Sequence, residues 1–227
     1  MSGLYIIPTP IGNLSDLSER VRQTIAEVDW IACEDTRVTG KLLKFLQIKK
    51  KMVSYRDQNE KEQAVFLADQ LESGLSIGLI CDAGTPGISD PGFRLVRECH
   101  LRKISVTPLP GPNAAITLLS ASGLPTDRFL FVGFLAPKKS ARIRFFETHR
   151  DFPYSIIFYE SCHRIEKFIS DALEVLESDR MICIGREITK KFETIETTSL
   201  QNAKDFLDQQ SKKGEFVIIL ANQKFTL

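Results

Sequence analysis

The chain has 227 residues, 43% of them hydrophobic and 26% charged, and a net charge of +1. This suits one large or two compact α/β domains, and the longest apolar runs are strand-sized, too short for a membrane span. Near-neutral charge neither requires nor excludes nucleic acid, because binding can rest on a local patch.

Leu4 to Ile7 reads as a first strand, followed by the turn Pro8-Thr9-Pro10-Ile11-Gly12-Asn13. No basic region precedes this strand, so a secretory signal is not expected. Leu14, Leu17, Val21, Ile25 and Val28 recur at helical spacing, with Asp16 and Glu19 as a capping pair at the start. Trp30 to Cys33 predicts a second short strand ending at Glu34-Asp35-Thr36-Arg37, and a helix follows through Leu42, Leu43 and Leu46. Asn59 with Glu62 marks another helix start, and Gly74 its stop. The apolar run Leu75 to Cys81 then leads into Asp82-Ala83-Gly84-Thr85-Pro86-Gly87-Ile88-Ser89-Asp90-Pro91-Gly92. Three glycines and two prolines force that loop along one tight path. A short helix around Phe93 to Cys99, a strand at Ile104 to Leu109, the turn Pro110-Gly111-Pro112 and a small-residue helix from Asn113 to Ser122 complete the first half. The strand–helix alternation argues a mainly parallel sheet.

Ser120 to Asp127 breaks the rhythm and predicts the domain boundary, giving α/β domains at 1–119 and 120–227. Beyond it lie strands at Phe129 to Phe134, Ser155 to Tyr159, Met181 to Gly185 and Glu215 to Ala221. Helices fall near Ala141 to His149, Ile165 to Leu176 and Ala203 to Gln209. The second half reads as a smaller α/β domain with longer strand connections.

Three Gly/Pro turns each follow a strand, which is where open α/β folds place ligands. None reads G-x-G-x-x-G or G-x-x-x-x-G-K-[ST], so neither a dinucleotide fingerprint nor a P-loop is supported. Any one alone reads as an ordinary tight turn; three on successive strand ends read as a shared pocket. Glu34 to Arg37 puts two acids and a base at a strand end. A carboxylate there can deprotonate a hydroxyl and Arg37 can hold a phosphate, although a helix cap with a local ion pair explains Asp35 and Thr36 equally well. Tyr159-Glu160-Ser161-Cys162-His163-Arg164 and Gly185 to Lys191 end two further strands. Lys138, Lys139, Arg142, Arg144 and Arg150 interleave with Phe145 and Phe146, either as RNA contacts or as a solvated face over a core-facing one. Cys33, Cys81, Cys99, Cys162 and Cys183 lack paired spacing and the three histidines lack ligand spacing. No metal site or disulfide is expected, and a reducing cytoplasmic setting is.

Together these stretches resemble the tetrapyrrole methylase superfamily, in its branch of bacterial 16S rRNA ribose methyltransferases. The residues that carry the resemblance are Tyr5 to Leu14, Glu34 to Arg37, Asp82 to Gly92, Pro108 to Pro112, Ala121 to Phe129, Phe158 to Ser161, Arg186 to Lys190 and Gly214 to Val217. It implies a class III methyltransferase fold of two α/β domains with a cofactor cleft between them, and usually a cytoplasmic homodimer. The implied donor is S-adenosyl-L-methionine, on Pro10, Asp82, Gly84, Thr85, Asn113, Ala114, Tyr159 and Glu160. The implied substrate is a cytidine ribose 2′-hydroxyl in the decoding region of 16S rRNA, in the small ribosomal subunit. In this reading Glu34 or Glu160 accepts the proton, and Arg37 and Lys190 hold the RNA. The branch often carries histidine where this chain reads Tyr55 to Glu60, and proline where it has Cys162. Tetrapyrrole C-methylation, or a non-catalytic RNA- or nucleotide-binding module, are the rival readings.

Overall fold

Alternating apolar residues build the sheet of the first half. Its strands are β1 (Gly3–Ile6), β2 (Trp30–Cys33), β3 (Lys51–Ser54), β4 (Ser76–Ile80) and β5 (Val106–Pro108), all parallel, in the order β3-β2-β4-β1-β5. The structure, a computed structural model, describes residues 2–209, 211 and 213–227. Period-two alternation sends Leu4, Ile6, Ala32, Ile77 and Leu79 to one face of the sheet and Ile7, Ile31, Cys33 and Ile80 to the other. Helices α3 (Glu60–Glu72) and α4 (Phe93–Leu101) cover the first face with Leu67, Leu71 and Leu95. Helices α1 (Glu19–Glu27) and α2 (Thr36–Phe45) cover the second with Val21, Ile25 and Leu43. A sheet covered on both faces explains why β4 is buried along its whole length.

Two starts differ from expectation. Helix α1 is capped by Ser18, whose Oγ accepts from Val21 N at 3.2 Å, and Asp16 belongs to a separate 3-10 turn. At α3 the Asn59 side chain accepts from Arg56 N instead of capping the helix.

The second half forms its own sheet. Its strands are β6 (Phe129–Phe134), β7 (Ser155–Ser161), β8 (Met181–Arg186), β9 (Thr194–Ser199) and β10 (Glu215–Leu220), in the order β6-β7-β10-β8-β9. Only β6 and β7 run parallel; β10 is antiparallel to both neighbours, and β9 is antiparallel to β8. Helices α6 (Lys139–Thr148), α7 (Ile165–Leu173) and α8 (Leu200–Gln209) contribute Phe146, Phe168, Ile169 and Leu207 to a core shared with Phe158, Ile184 and Phe216.

The chain divides into compact units at Asn113/Ala114, not at residue 119. The reason is α5 (Ala114–Ala121), which packs against β7 and β10 and so belongs to the second unit. The second unit therefore matches the first in size instead of being the smaller one. Among the described residues no helix is long and apolar enough to cross a membrane.

Candidate functional site

Because the first sheet is parallel, the carboxyl ends of all five strands lie along one edge. The connection leaving β1 runs toward β2, while the one leaving β4 runs the opposite way to β5. Adjacent β4 and β1 thus form the crevice at which the winding reverses, the usual ligand position in such sheets.

The loops along this edge are hydrogen-bonded into a row. Tyr55 N, after β3, donates to Cys33 O at 2.8 Å. Asp35 N, after β2, donates to Asp82 Oδ1 at 3.1 Å. Thr9 and Gly84 exchange two backbone hydrogen bonds, of 2.8 and 3.1 Å, joining the loops after β1 and β4. Thr85 Oγ1 donates to Pro112 O at 3.0 Å, bringing in the loop after β5. A Cβ on Gly111 would lie 2.1 Å from Pro8 Cγ, so only glycine lets the first and third loops meet this closely. The three Gly/Pro turns therefore meet along one edge. Pro10, Asp82, Gly84 and Thr85 stand on it, and Asn113 ends this unit.

The electrostatics of the edge are dominated by acids. Glu34 directly follows β2, and its pKa is raised by burial and by the carboxylates of Asp82, Asp90 and Asp57. Burial also raises Asp82 and Asp90, each with a further push from a neighbouring carboxylate. Arg37 is committed to Asp35, to which its Nε donates at 3.0 Å and its Nη2 at 2.5 Å, holding that carboxyl well below its ordinary value. Asp35 also accepts from Arg37 N at 2.7 Å as the cap of α2, so the local ion-pair reading holds for Asp35 beside any role of Glu34 and Arg37. An open cavity of about 400 Å³ is lined by Glu34, Asp35, Thr36, Arg37, Ser54 and Arg56.

Ser54 was not among the residues the sequence singled out, and Arg56 stood out only as part of the Tyr55 to Glu60 stretch that lacks a histidine. Another unforeseen group is the Tyr55–Glu60 pair. Tyr55 Oη donates to Glu60 Oε1 at 3.0 Å and accepts from Leu95 N at 3.1 Å, while Glu60 Oε1 also accepts from Gly92 N at 3.0 Å. Glu60 thus caps the start of α4 from a different helix and pins the end of the 82–92 loop. Its signal was an acid at the first position of a helix, which reads as a dipole effect until the neighbouring helix is in view.

In the second unit Glu160 is on β7 and buried. Its Oε1 accepts from Ser161 N at 2.7 Å, its Oε2 lies 3.2 Å from Arg164 Nη2, and burial raises its pKa. Tyr159 packs edge-on against Phe131 and Phe134, and Ala114 is the first residue of α5. Lys190 Nζ bridges Glu187 Oε1 at 2.9 Å and Glu215 Oε2 at 2.7 Å.

The basic-aromatic helix α6 does not offer its rings for stacking: Phe146 is buried in the core and Phe145 packs against Phe158. Arg142 is buried on Asp171 with Nε to Oδ2 at 2.6 Å, and Lys139 and Arg150 pair with Glu174 and Glu177. Breaking a buried pair such as Arg142–Asp171 costs about 3–5 kcal/mol, so this arginine holds the fold.

Comparison with known proteins bears on this edge directly. The sequence pattern of the Tetrapyrrole (Corrin/Porphyrin) Methylases matches residues 3–204, which include every loop in the row. The chain is similar to the ribosomal RNA small subunit methyltransferase I of Vibrio cholerae, with 49% identity over 219 residues, covering 96% of this chain and 76% of the relative. In fold it is similar to the crystal structure of diphthine synthase, with a TM-score of 0.76 at 14% identity, covering 98% of this chain and 91% of that one. A second likeness is to uroporphyrin-III C-methyltransferase from Thermus thermophilus complexed with S-adenyl homocysteine, with a TM-score of 0.65 at 13% identity, covering 96% and 97%. The chain belongs to the tetrapyrrole methylase family and, within it, to the ribosomal RNA small subunit methyltransferase I family.

Proposed function

We propose that this protein transfers a methyl group from S-adenosyl-L-methionine to the ribose 2′-hydroxyl of a cytidine in 16S rRNA, acting in the cytoplasm as a homodimer on the small ribosomal subunit. The observation that carries the reading is the 49% likeness, through nearly the whole chain, to a relative named ribosomal RNA small subunit methyltransferase I; the cytidine ribose as target rests on the sequence resemblance.

The residues fit a cationic donor. Glu34 is crowded by Asp82 and Asp90, and Asp90 by Asp82, while Arg37 is paired with Asp35. A bound cation would relieve that repulsion. When bound, the donor supplies an electrophilic methyl group on a sulfonium. Pro10, Asp82, Gly84, Thr85 and Asn113 hold it, with their backbone fixed by the loop-to-loop hydrogen bonds, and this fixed alignment is the main contribution a protein makes to such a displacement.

A ribose hydroxyl is a weak nucleophile and gains from a positioned base. Glu34 takes that role: it lines the cavity, and burial and neighbouring carboxylates raise its pKa. Glu160 is instead buried against Arg164 and serves the fold of its own unit. Arg37 faces solvent and holds the RNA backbone, while Lys190 ties its turn to β10 through Glu215.

The test is incubation with labelled S-adenosylmethionine and small subunits lacking this modification, followed by mapping of the product. One methyl group on a cytidine ribose is expected. No transfer to subunits, or transfer to a porphyrin instead, would overturn the reading.

A further inference from the structure

The cavity at the end of the row, between the carboxyl ends of β2 and β3, has a composition unlike the rest of the edge. Its lining includes two guanidinium groups, on Arg37 and Arg56, beside Glu34. We infer that this cavity seats the acceptor nucleotide and that Arg56 holds a backbone phosphate next to the target ribose. The inference rests on the ribose-methylation reading above and adds to it where on the edge the RNA lies.

Charge balance favours RNA at this end of the edge. A polyanion approaching Glu34 also approaches Asp82, Asp90 and Asp57, so it needs cations on the same side. Arg37 is half neutralised by its bidentate contact with Asp35. Arg56 is exposed, and among the described residues of its unit it enters no ion pair. It is therefore the cation in the cavity with its full charge to give. The planar, forked guanidinium also matches phosphate oxygens in pairs.

The turn that carries Arg56 is also preorganised. Arg56 N donates to Asn59 Oδ1 at 2.7 Å, and Asn59 Nδ2 donates to Ser54 O at 3.1 Å, closing a ring around the turn. The preceding Tyr55 is buried, with its backbone on Cys33 and its hydroxyl on Glu60. The backbone on both sides of Arg56 is thus fixed before any ligand arrives, which lowers the ordering cost of a contact.

The test uses the full chain and its Arg56→Ala and Arg56→Lys variants. Methyl transfer to unmodified small subunits is followed over a salt series, together with binding of a single-stranded, cytidine-containing oligoribonucleotide by anisotropy and of S-adenosylmethionine by calorimetry. Arg56→Ala is expected to raise KM for subunits about tenfold and to reduce the log–log salt slope by about 0.7, the value of one single-strand phosphate contact. Arg56→Lys should restore the slope with only part of the affinity, and donor binding should not change. Unchanged KM and slope in Arg56→Ala would overturn the inference. So would weakened donor binding with unchanged RNA binding, which would give the cavity to the donor. If the unmodified chain transfers nothing to subunits, the functional reading fails, and the oligonucleotide slope alone decides whether Arg56 contacts phosphate.

Discussion

Glu34 stands one position beyond β2, where burial and three neighbouring carboxylates all favour its protonated form. Its ordinary value is about 4.3, so the acid limb of the methyl-transfer rate should lie above that. Glu34→Gln should remove the limb and lower kcat by about 10²–10⁴-fold, the contribution of a positioned base. Asp90→Asn takes away a negative neighbour, makes Glu34 easier to ionise and should move the limb to lower pH; a limb that stays in place would show that the two carboxylates do not interact. The same shifts carry a sign for stability. Glu34, Asp82 and Asp90 all titrate above their ordinary values in the folded chain, so their contribution is full below the ordinary carboxylate range and is lost as pH rises through the raised values. Asp90→Asn should therefore raise Tm at neutral pH and leave it little changed well below about pH 4, as scanning calorimetry at both pH values can check. Glu34 and Asp82 were legible in the sequence because each directly follows an apolar run. Arg56 was not, because the strand before it, Lys51 to Ser54, is short, half-exposed and opens on a lysine run.

Two edge strands show why some elements escape a reading by pattern. Both β3 and β9 lie at the ends of their sheets, and β9, Thr-Ile-Glu-Thr-Thr-Ser, is polar enough to pass for a loop. In β3 the exposed Lys51 places Nζ 3.4 Å from the centre of the Trp30 ring, so a residue that reads as a solvated charge pairs with its neighbouring strand. The central strands, buried on both faces, were unmistakable. The loops after them were legible as a group, yet their mutual hydrogen bonds depend on strand order, which local sequence does not encode. That lacing makes a prediction. Gly111→Ala drives a Cβ into Pro8 and should cost about 1–3 kcal/mol by chemical denaturation, with donor affinity reduced as the first and third loops separate. Gly40→Ala is the matched control: it lies within α2, and its Cβ would meet only Met52 Cε at 3.9 Å. That change should stabilise by about 0.4–1 kcal/mol and leave donor binding alone. Equal losses from the two substitutions would show that the loop contact has no special role.

Across the whole molecule the five thiols report on both units. Cys33, Cys81 and Cys99 are buried in the first unit and Cys183 in the second, while Cys162 is half-exposed. Burial raises the buried thiols, Cys99 to about 11, leaving little thiolate at neutral pH. A thiol reagent should modify Cys162 first, and the others only as fast as their own unit opens, as peptide mapping over time can follow. Modification of Cys99 as fast as Cys162 would contradict the burial pattern. The division into two α/β halves was legible at this scale, but its position was not: the small-residue helix after Pro112 has no feature of its own that says which sheet it will cover. The two sheets also differ in when they can be completed during synthesis. The first sheet is assembled entirely from strands within residues 3–108, so nothing later in the chain is needed to close it. The second is different, because its middle strand, β10, is the last to be made and pairs with both β7 and β8. Until residue 220 leaves the ribosome, β6 with β7 and β8 with β9 are separate two-stranded pieces, each with an open edge. The nascent chain thus carries a finished parallel sheet ahead of an unfinished one, and the second half is the part that needs shielding from wrong partners while translation continues.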